Sequence, residues 1–356
     1  MKQSLEFGVW DHFEQQDPEV VPLQQQYEDR IQYVIEAERL GFGRYHVAEH
    51  HLTPLDMAPS PTVFLAAVAR HTSRIRLGSM VLCLPLYHPV RLVQEICMLD
   101  QLSGGRFEPG VGRGVRDVEH EWFGLDPMQS RERYKESLDL LMQGLLEGRL
   151  DYSGQFYSFA DVPLHHRPLQ KPIPPFWYAG NVLSAASQGM NALGGAQGQE
   201  GYAAYWRTWE EGRASGNPMY QRDPLVGSVR HLVVAPTDAD ARAIGRRAWR
   251  VYGEHFFATD LRVLGETRIR RATGPGADPD KLIDSGALVA GSPSTVRDKL
   301  LATVDENGAG HNYLAGAFQW GDMTRAEAMQ SLWLFATEIM PALAEHCAPV
   351  ATAAGQ

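Results

Sequence analysis

The sequence predicts a (β/α)8 barrel with insertions, on three observations. The chain has 356 residues, long for an ordinary domain but normal for such a barrel, which needs about 250 residues and can exceed about 400 with insertions. Short apolar runs of β type alternate with stretches of helical periodicity, the βαβα signature of a parallel sheet covered by helices. Polar and aromatic residues gather immediately after the apolar runs, and barrels carry their sites at the C-terminal ends of their strands.

The elements follow in order. Residues 5–10 form the first strand. Residues 23–40 form a helix, with Tyr27, Ile31, Val34 and Ile35 on one face. Residues 44–48 are the second strand. A helix over 62–71 is capped by Ser60 and opened by Pro61. The third strand covers 75–81, and Pro89 opens a helix that ends near Ser103, before Gly104 and Gly105. A short strand spans 107–111. Residues 131–146 read as a helix with Tyr134, Leu138, Leu141, Met142 and Leu145 facing the core. Residues 176–179 are the fifth strand, and a helix follows over 182–188. The run LGGAQGQ at 193–199 is glycine-rich, and 202–212 reads as a helix. Residues 229–235 are a strand and 238–257 a helix. Ser292, Pro293 and Ser294 start another helix, 313–318 is the last strand, and one long helix over 324–344 closes the chain. Residues 1–345 are expected to form a single barrel domain with insertions near 150–175 and 260–285, followed by a short tail at 346–356.

Hydrophobic residues make up 44% and charged residues 21% of the chain, a globular composition. The net charge of -10 argues against a nucleic-acid partner and against attraction to anionic lipid. Cys83, Cys97 and Cys347 show neither a CxxC pair nor zinc spacing and read as free thiols. The N-terminal residues lack a signal-peptide apolar run, and no apolar stretch is long enough to span a membrane. A cytoplasmic protein is expected.

Candidate chemistry sits after the strands. Gly110-Val111-Gly112-Arg113-Gly114 joins a backbone that can approach an anion closely to a cation that grips phosphate through two donors. Gly180-Asn181, with Ser184 behind them, precede a helix whose first amides favour an anion, and Arg131 opens the helix after the Arg113 loop. A turn with a surface arginine is an equal reading for Arg113. The third glycine of a dinucleotide fingerprint is absent. His46-Val47-Ala48-Glu49-His50 spells HxxEH, but on a strand, where the two histidines do not share a helical face, so no metal is expected. His50, at the strand's end, is the candidate acid or base. Trp10, Tyr87 and Trp320 stand at strand ends as candidates for a substrate pocket.

The runs AEHHLTPLD (48–56), IRLGSMVLCLPLYHPVRLVQEICMLDQLSGGRFEPGVGRG (75–114) and MTRAEAMQSLWLFATEIMPAL (323–343) resemble bacterial-luciferase-like flavin monooxygenases. The resemblance covers nearly the whole chain and is strongest over 1–150 and 320–345. It implies that His50 is the active-site histidine and that Arg113 and Arg131 clamp the phosphate of FMN. It further implies that Gly112, Gly180, Asn181 and Ser184 belong to the cofactor site, and that Ser79-Met80 is a non-prolyl cis peptide beneath the flavin ring. The implied reaction uses reduced FMN, supplied by a separate flavin reductase, and oxygen. A C4a-(hydro)peroxyflavin would insert one oxygen atom into a small organic substrate. Gly112 stands where the light-emitting subunit carries a reactive cysteine, Gly180 replaces an acidic residue and Asn181 a serine; these departures are compatible with flavin binding and count against light emission. Alternatives on the same fold are a deazaflavin-dependent oxidoreductase and a non-catalytic partner subunit, the latter disfavoured by His50. The resemblance also implies a dimer through the helices at 62–71 and 89–103. Leu92, Val93, Ile96, Cys97 and Leu99 give the second of these more apolar surface than one stripe requires.

Overall fold

Eight parallel strands pair in a closed ring. The computed structural model describes residues 4–195, 197–264 and 276–348. The ring consists of β1 (Glu6–Asp11), β2 (Arg44–Val47), β3 (Arg76–Ser79, resumed at Leu82–Cys83), β4 (Phe107–Glu108 and Gly110–Gly112), β5 (Trp177–Ala179), β6 (Asn191–Gly194), β7 (Val226–Val234) and β8 (Tyr313–Ala317). Each strand pairs with the next, and β8 pairs with β1, Glu6 opposite Tyr313. Pro109 has no N–H for the ladder and splits β4: Phe107–Glu108 pairs with the first part of β3, and Gly110–Gly112 lies between the resumed part of β3 and β5, pairing with both. Its carbonyl accepts from Trp177 N at 2.9 Å.

Helices cover the outside: α1 (Leu23–Arg39), α2 (Pro61–His71), α3 (Pro89–Leu102), α4 (Asp117–Trp122), α5 (Ser130–Glu147), α6 (Val182–Ser187), α7 (Gly198–Ala214), α8 (Asp238–Leu264), α9 (Pro279–Ser285), α10 (Pro293–Asn307), α11 (Arg325–Leu334) and α12 (Met340–His346). Four departures from the sequence reading have local causes. β6 is a strand of only four residues, Asn-Ala-Leu-Gly, too short to show a period. Leu288–Gly291 is a side strand that pairs with the last residues of β7 after β8 has diverged. The insertion after α5 folds as an antiparallel hairpin, Arg149–Ser153 with Ser158–Pro163. The closing helix is interrupted by a π turn over Phe335–Ile339, next to Pro341, which cannot donate to the helical ladder. Of the expected insertion near 260–285, α8 occupies the start and α9 the end, and residues 265–275 lie outside the described residues. Ser60 stands at the α2 N-cap without a side-chain cap bond.

Period two sorts the strand residues. Phe7 meets Phe335 and Asp11 pairs with Arg30, both on the helix side of β1, while Gly8 and Trp10 face the interior. The interior holds large rings, His46, Trp177 and Tyr313, all fully buried, with His46 Nε2 2.9 Å from the Tyr313 hydroxyl. Glycine makes room for them: a Cβ at Gly8 would collide with the Tyr313 hydroxyl, and one at Gly78 with His46 Nδ1. Beneath these rings Glu108 accepts from Trp177 Nε1 (2.6 Å), Arg44 Nε (3.0 Å) and Arg76 Nε.

The residues cited for a dimer face, Leu92, Val93, Ile96, Cys97 and Leu99, are all buried within the one chain. α3 packs on α2 and α5, which absorb the apolar excess.

Candidate active site

The C-terminal ends of β1 to β4 converge on the segment Glu49-His50-His51. Three buried carboxylates hold it. Asp56 Oδ2 accepts from His50 N (3.1 Å) and its Oδ1 from Ala58 N (2.5 Å). Glu49 turns its oxygens to His51 Nε2 (2.9 Å), Cys83 N (3.2 Å) and the Tyr87 hydroxyl (2.8 Å). Glu119, from α4, lies with Oε1 3.2 Å from His50 Nδ1 and accepts from His51 N at 3.2 Å. Among the described residues His50 Nε2 has no protein partner, and the ring is partly exposed. Burial first, and then the charge of neighbouring Glu49, push the Cys83 thiol well above its usual range, so it is no thiolate nucleophile.

A second wall stands beside His50. Its ring lies 5.5 Å from that of His12, which packs on Trp10 at 4.3 Å and on Tyr252 at 5.5 Å. Trp10 also meets His231, which is enclosed by Trp249, Tyr252 and Trp320. Burial depresses both imidazoles, His12 well below its ordinary value and His231 to about 3, so both are neutral at physiological pH. The wall is aromatic and uncharged.

The third part is the pair of ends of β4 and β5. Parallel register sets Val111 opposite Tyr178, and Arg113 and Gly180 follow the ends of these two paired strands. Arg113 Nη1 donates to Ser130 Oγ (2.9 Å), and that hydroxyl donates to Pro127 O (2.6 Å). His120 Nε2 lies 3.0 Å from the Arg113 carbonyl and fixes its backbone. No carboxylate pairs with Arg113 among the described residues. Gly180 has a φ of 124°, which favours glycine, and a Cβ there would find only Tyr178 Cε1, at 3.9 Å. Asn181 caps α6 through Ser184 N (2.9 Å), and the first two amides of that helix have no acceptor within it.

The predicted residues divide accordingly. His50 stands at the centre of the first group. Gly112, Arg113, Gly180, Asn181 and Ser184 come together at the neighbouring strand ends, with Arg131 exposed beside Ser130. Ser79 does not present its side chain: its Oγ donates to Gly110 O and accepts from Gly110 N, tying β3 to β4. The non-prolyl cis peptide lies between Met80 and Val81, one residue beyond the expected Ser79-Met80. Met80 packs inward against Trp177, Leu193 and Tyr313. Of the expected pocket residues Trp10 and Tyr87 are partly exposed. Tyr87 is bound to Glu49, and Trp320 is buried with its Nε1 on Ala317 O (3.1 Å). His46 of the HxxEH run is spent on Tyr313 and does not converge with His50. Sequence reasoning missed Glu119, His12 and His231. The acidic run Asp117-Val118-Glu119, just past the end of β4, was the available signal for the first.

The profile of the luciferase-like monooxygenase family matches residues 5–311. The chain belongs to that family. Among relatives of this luciferase-like chain, uncharacterized protein y4wF of Sinorhizobium fredii is 35% identical, over 94% of this chain and 96% of its own. Limonene 1,2-monooxygenase of Rhodococcus erythropolis is 27% identical, over 87% and 80%. The oxygenase component of flavin-dependent trigonelline monooxygenase from Acinetobacter baylyi is 30% identical, over 49% of each chain. Three solved structures share the fold. Monooxygenase RslO1 from Streptomyces bottropensis has a TM-score of 0.80 at 23% identity, covering 95% of this chain and 99% of its own. The oxygenating constituent of 3,6-diketocamphane monooxygenase from Pseudomonas putida, in complex with FMN, has a TM-score of 0.75 at 21% identity, with the same coverage. The coenzyme F420 dependent tetrahydromethanopterin reductase of Methanopyrus kandleri has a TM-score of 0.65 at 18% identity, covering 96% and 100%. Among the described residues no helix is long and apolar enough to cross a membrane.

Proposed function

We propose that this luciferase-like protein is an FMN-dependent monooxygenase that uses reduced FMN and molecular oxygen to insert one oxygen atom into a small organic substrate. One observation carries the reading: Arg113, a cation with no carboxylate partner among the described residues, and the open backbone of Gly180 follow the ends of two paired strands, while His50 is clamped at the end of β2 with Nε2 free. These residues fit FMN. Arg113, the first amides of α6 and, beside them, Arg131 would hold the phosphate. The partly exposed apolar faces of Trp10, Val81 and Val229 would line the ring. Met80, Gly112, Asn181 and Ser184 shape the same rim, and Ser79 supports it through the β3–β4 tie. When bound, the reduced flavin supplies the electrons that activate dioxygen.

The chain's own residues do the rest. His50 Nε2 gives or takes the proton of the reacting group. The neutral wall of Trp10, His12 and His231 holds an organic substrate and keeps water out. A separate flavin reductase supplies the reduced cofactor, as the name of the trigonelline relative's oxygenase component suggests. A homodimer in the cytoplasm is part of the same reading. Its interface would use the exposed Val63, Met98 and Leu102 of α2 and α3 rather than the buried face of α3. Anaerobic titration with reduced FMN, oxidised FMN and a reduced deazaflavin tests the cofactor. Reduced FMN should bind most tightly, and preference for the deazaflavin would replace this reading with hydride transfer.

A further inference from the structure

We infer that Glu119 is the positioning residue for His50: its carboxylate fixes the Nδ1–H tautomer and aims Nε2 at the reacting group. The inference rests on the proposed acid–base role of His50.

The geometry comes first. Glu119 Oε1 lies 3.2 Å from His50 Nδ1, and the Glu119 side chain is 2% exposed. The same oxygen accepts from the backbone N of His51, so one carboxylate holds both the ring and the chain that carries it. Behind it, Arg116 Nε lies 3.7 Å away. α4 is short and starts soon after β4 ends, which brings Glu119 back over the end of β2. The two other buried carboxylates of the segment do not reach the His50 ring: Asp56 is used on backbone amides, and Glu49 on His51, Cys83 and Tyr87.

The charge argument follows. Burial pushes the Glu119 carboxyl up, but the bond to His50, the charge of that imidazole, the His51 amide and Arg116 outweigh burial and hold it below its ordinary value. Glu119 is therefore an anion at neutral pH and can only accept. An acceptor at Nδ1 requires the proton there, and a neutral imidazole then carries its lone pair on Nε2. The other groups facing His50 do not substitute for it. His12, across the ring contact, is neutral. Arg116 lies behind Glu119, Asp56 reaches only the backbone amide, and Glu49 and His51 are paired with each other.

The test uses the flavin-free, full-length protein. The His50 ring is followed by nitrogen and proton NMR, its signals assigned by their loss in His50→Gln. In Glu119→Gln, an isosteric change that removes the anionic acceptor, the share of the Nε2–H tautomer should rise. Glu119→Asp, which keeps the charge on a shorter arm, should restore much of the Nδ1–H tautomer. With reduced FMN supplied, product formation in Glu119→Gln should fall while FMN affinity holds. A His50 tautomer ratio unchanged in folded Glu119→Gln overturns the inference. Normal product yield in His50→Ala would instead overturn the proposed acid–base role of His50 and leave the tautomer result standing, so the two failures are separable.

Discussion

Arg113→Ala is the perturbation whose size follows most directly from the structure. The guanidinium is partly exposed, its one hydrogen-bond partner among the described residues is the Ser130 hydroxyl at 2.9 Å, and no carboxylate neutralises it. A phosphate that meets it would gain a charge-assisted bond worth about 1.5–3 kcal/mol. Its loss weakens binding by roughly ten- to a hundred-fold. Ser130 acts only through Arg113, since its own proton goes to Pro127 O. Ser130→Ala should therefore cost about 0.5–1.5 kcal/mol, roughly two- to tenfold. The double variant should bind no more weakly than Arg113→Ala alone, within about twofold, because the second change has nothing left to act on. The assay is an anaerobic titration of reduced FMN followed by absorbance. Wild-type affinity in Arg113→Ala would remove this arginine from the cofactor site, and additive losses in the double variant would show that Ser130 touches the ligand itself.

The remaining predictions concern catalysis, pH and packing. His50→Ala should retain FMN affinity, lose product by about 100- to 10,000-fold and release hydrogen peroxide instead; a normal product yield would make His50 a packing residue. Burial alone would raise the Glu108 carboxyl, but Arg44 and Arg76 hold it down at about 2, against an ordinary 4.5. Its contribution is thus fully present above pH 4.5 and is lost as pH falls toward 2, an amount of roughly 3 kcal/mol. Urea unfolding of wild type and Glu108→Gln at pH 7 and pH 3 should show a smaller acid loss in the variant, and equal losses would remove Glu108 from the acid transition. Gly78→Ala drives a methyl into the His46 ring and should destabilise by about 1–3 kcal/mol in a thermal melt. His46→Ala on the same background should recover part of that, and no recovery would place the strain elsewhere.

The long periodic elements were legible because their side chains obey one rule over many residues. The face of α5 follows the 3.6-residue repeat, with Tyr134, Leu138, Leu141 and Leu145 buried, and Gly104 and Gly105 stop α3 as their positive φ requires. β6 was not legible, because four residues ending in glycine carry no period, and the side strand at Leu288–Gly291 is equally short. The candidate site was legible where one residue type at a strand end suffices, as for His50 and Arg113. Glu119 was not, because its role depends on α4 turning back over β2, a relation across 69 residues of sequence. Trp320 misled for the same reason: a tryptophan after β8 marks a strand end, but α8 covers it with Trp249 and Tyr252. The apolar surplus on α3 suggested a second subunit, whereas α2 and α5 bury it within the chain.

Labelled dioxygen tests the central claim most directly. The protein is supplied with reduced FMN by a flavin reductase, under 18O2, against a panel of small organic substrates, and products are read by mass spectrometry. A monooxygenase built on His50 and Arg113 yields a product carrying one atom of 18O, and His50→Ala abolishes that product while reduced FMN continues to be oxidised. A product formed without label, or formed equally well in the absence of oxygen, would contradict the account and assign the barrel to hydride transfer.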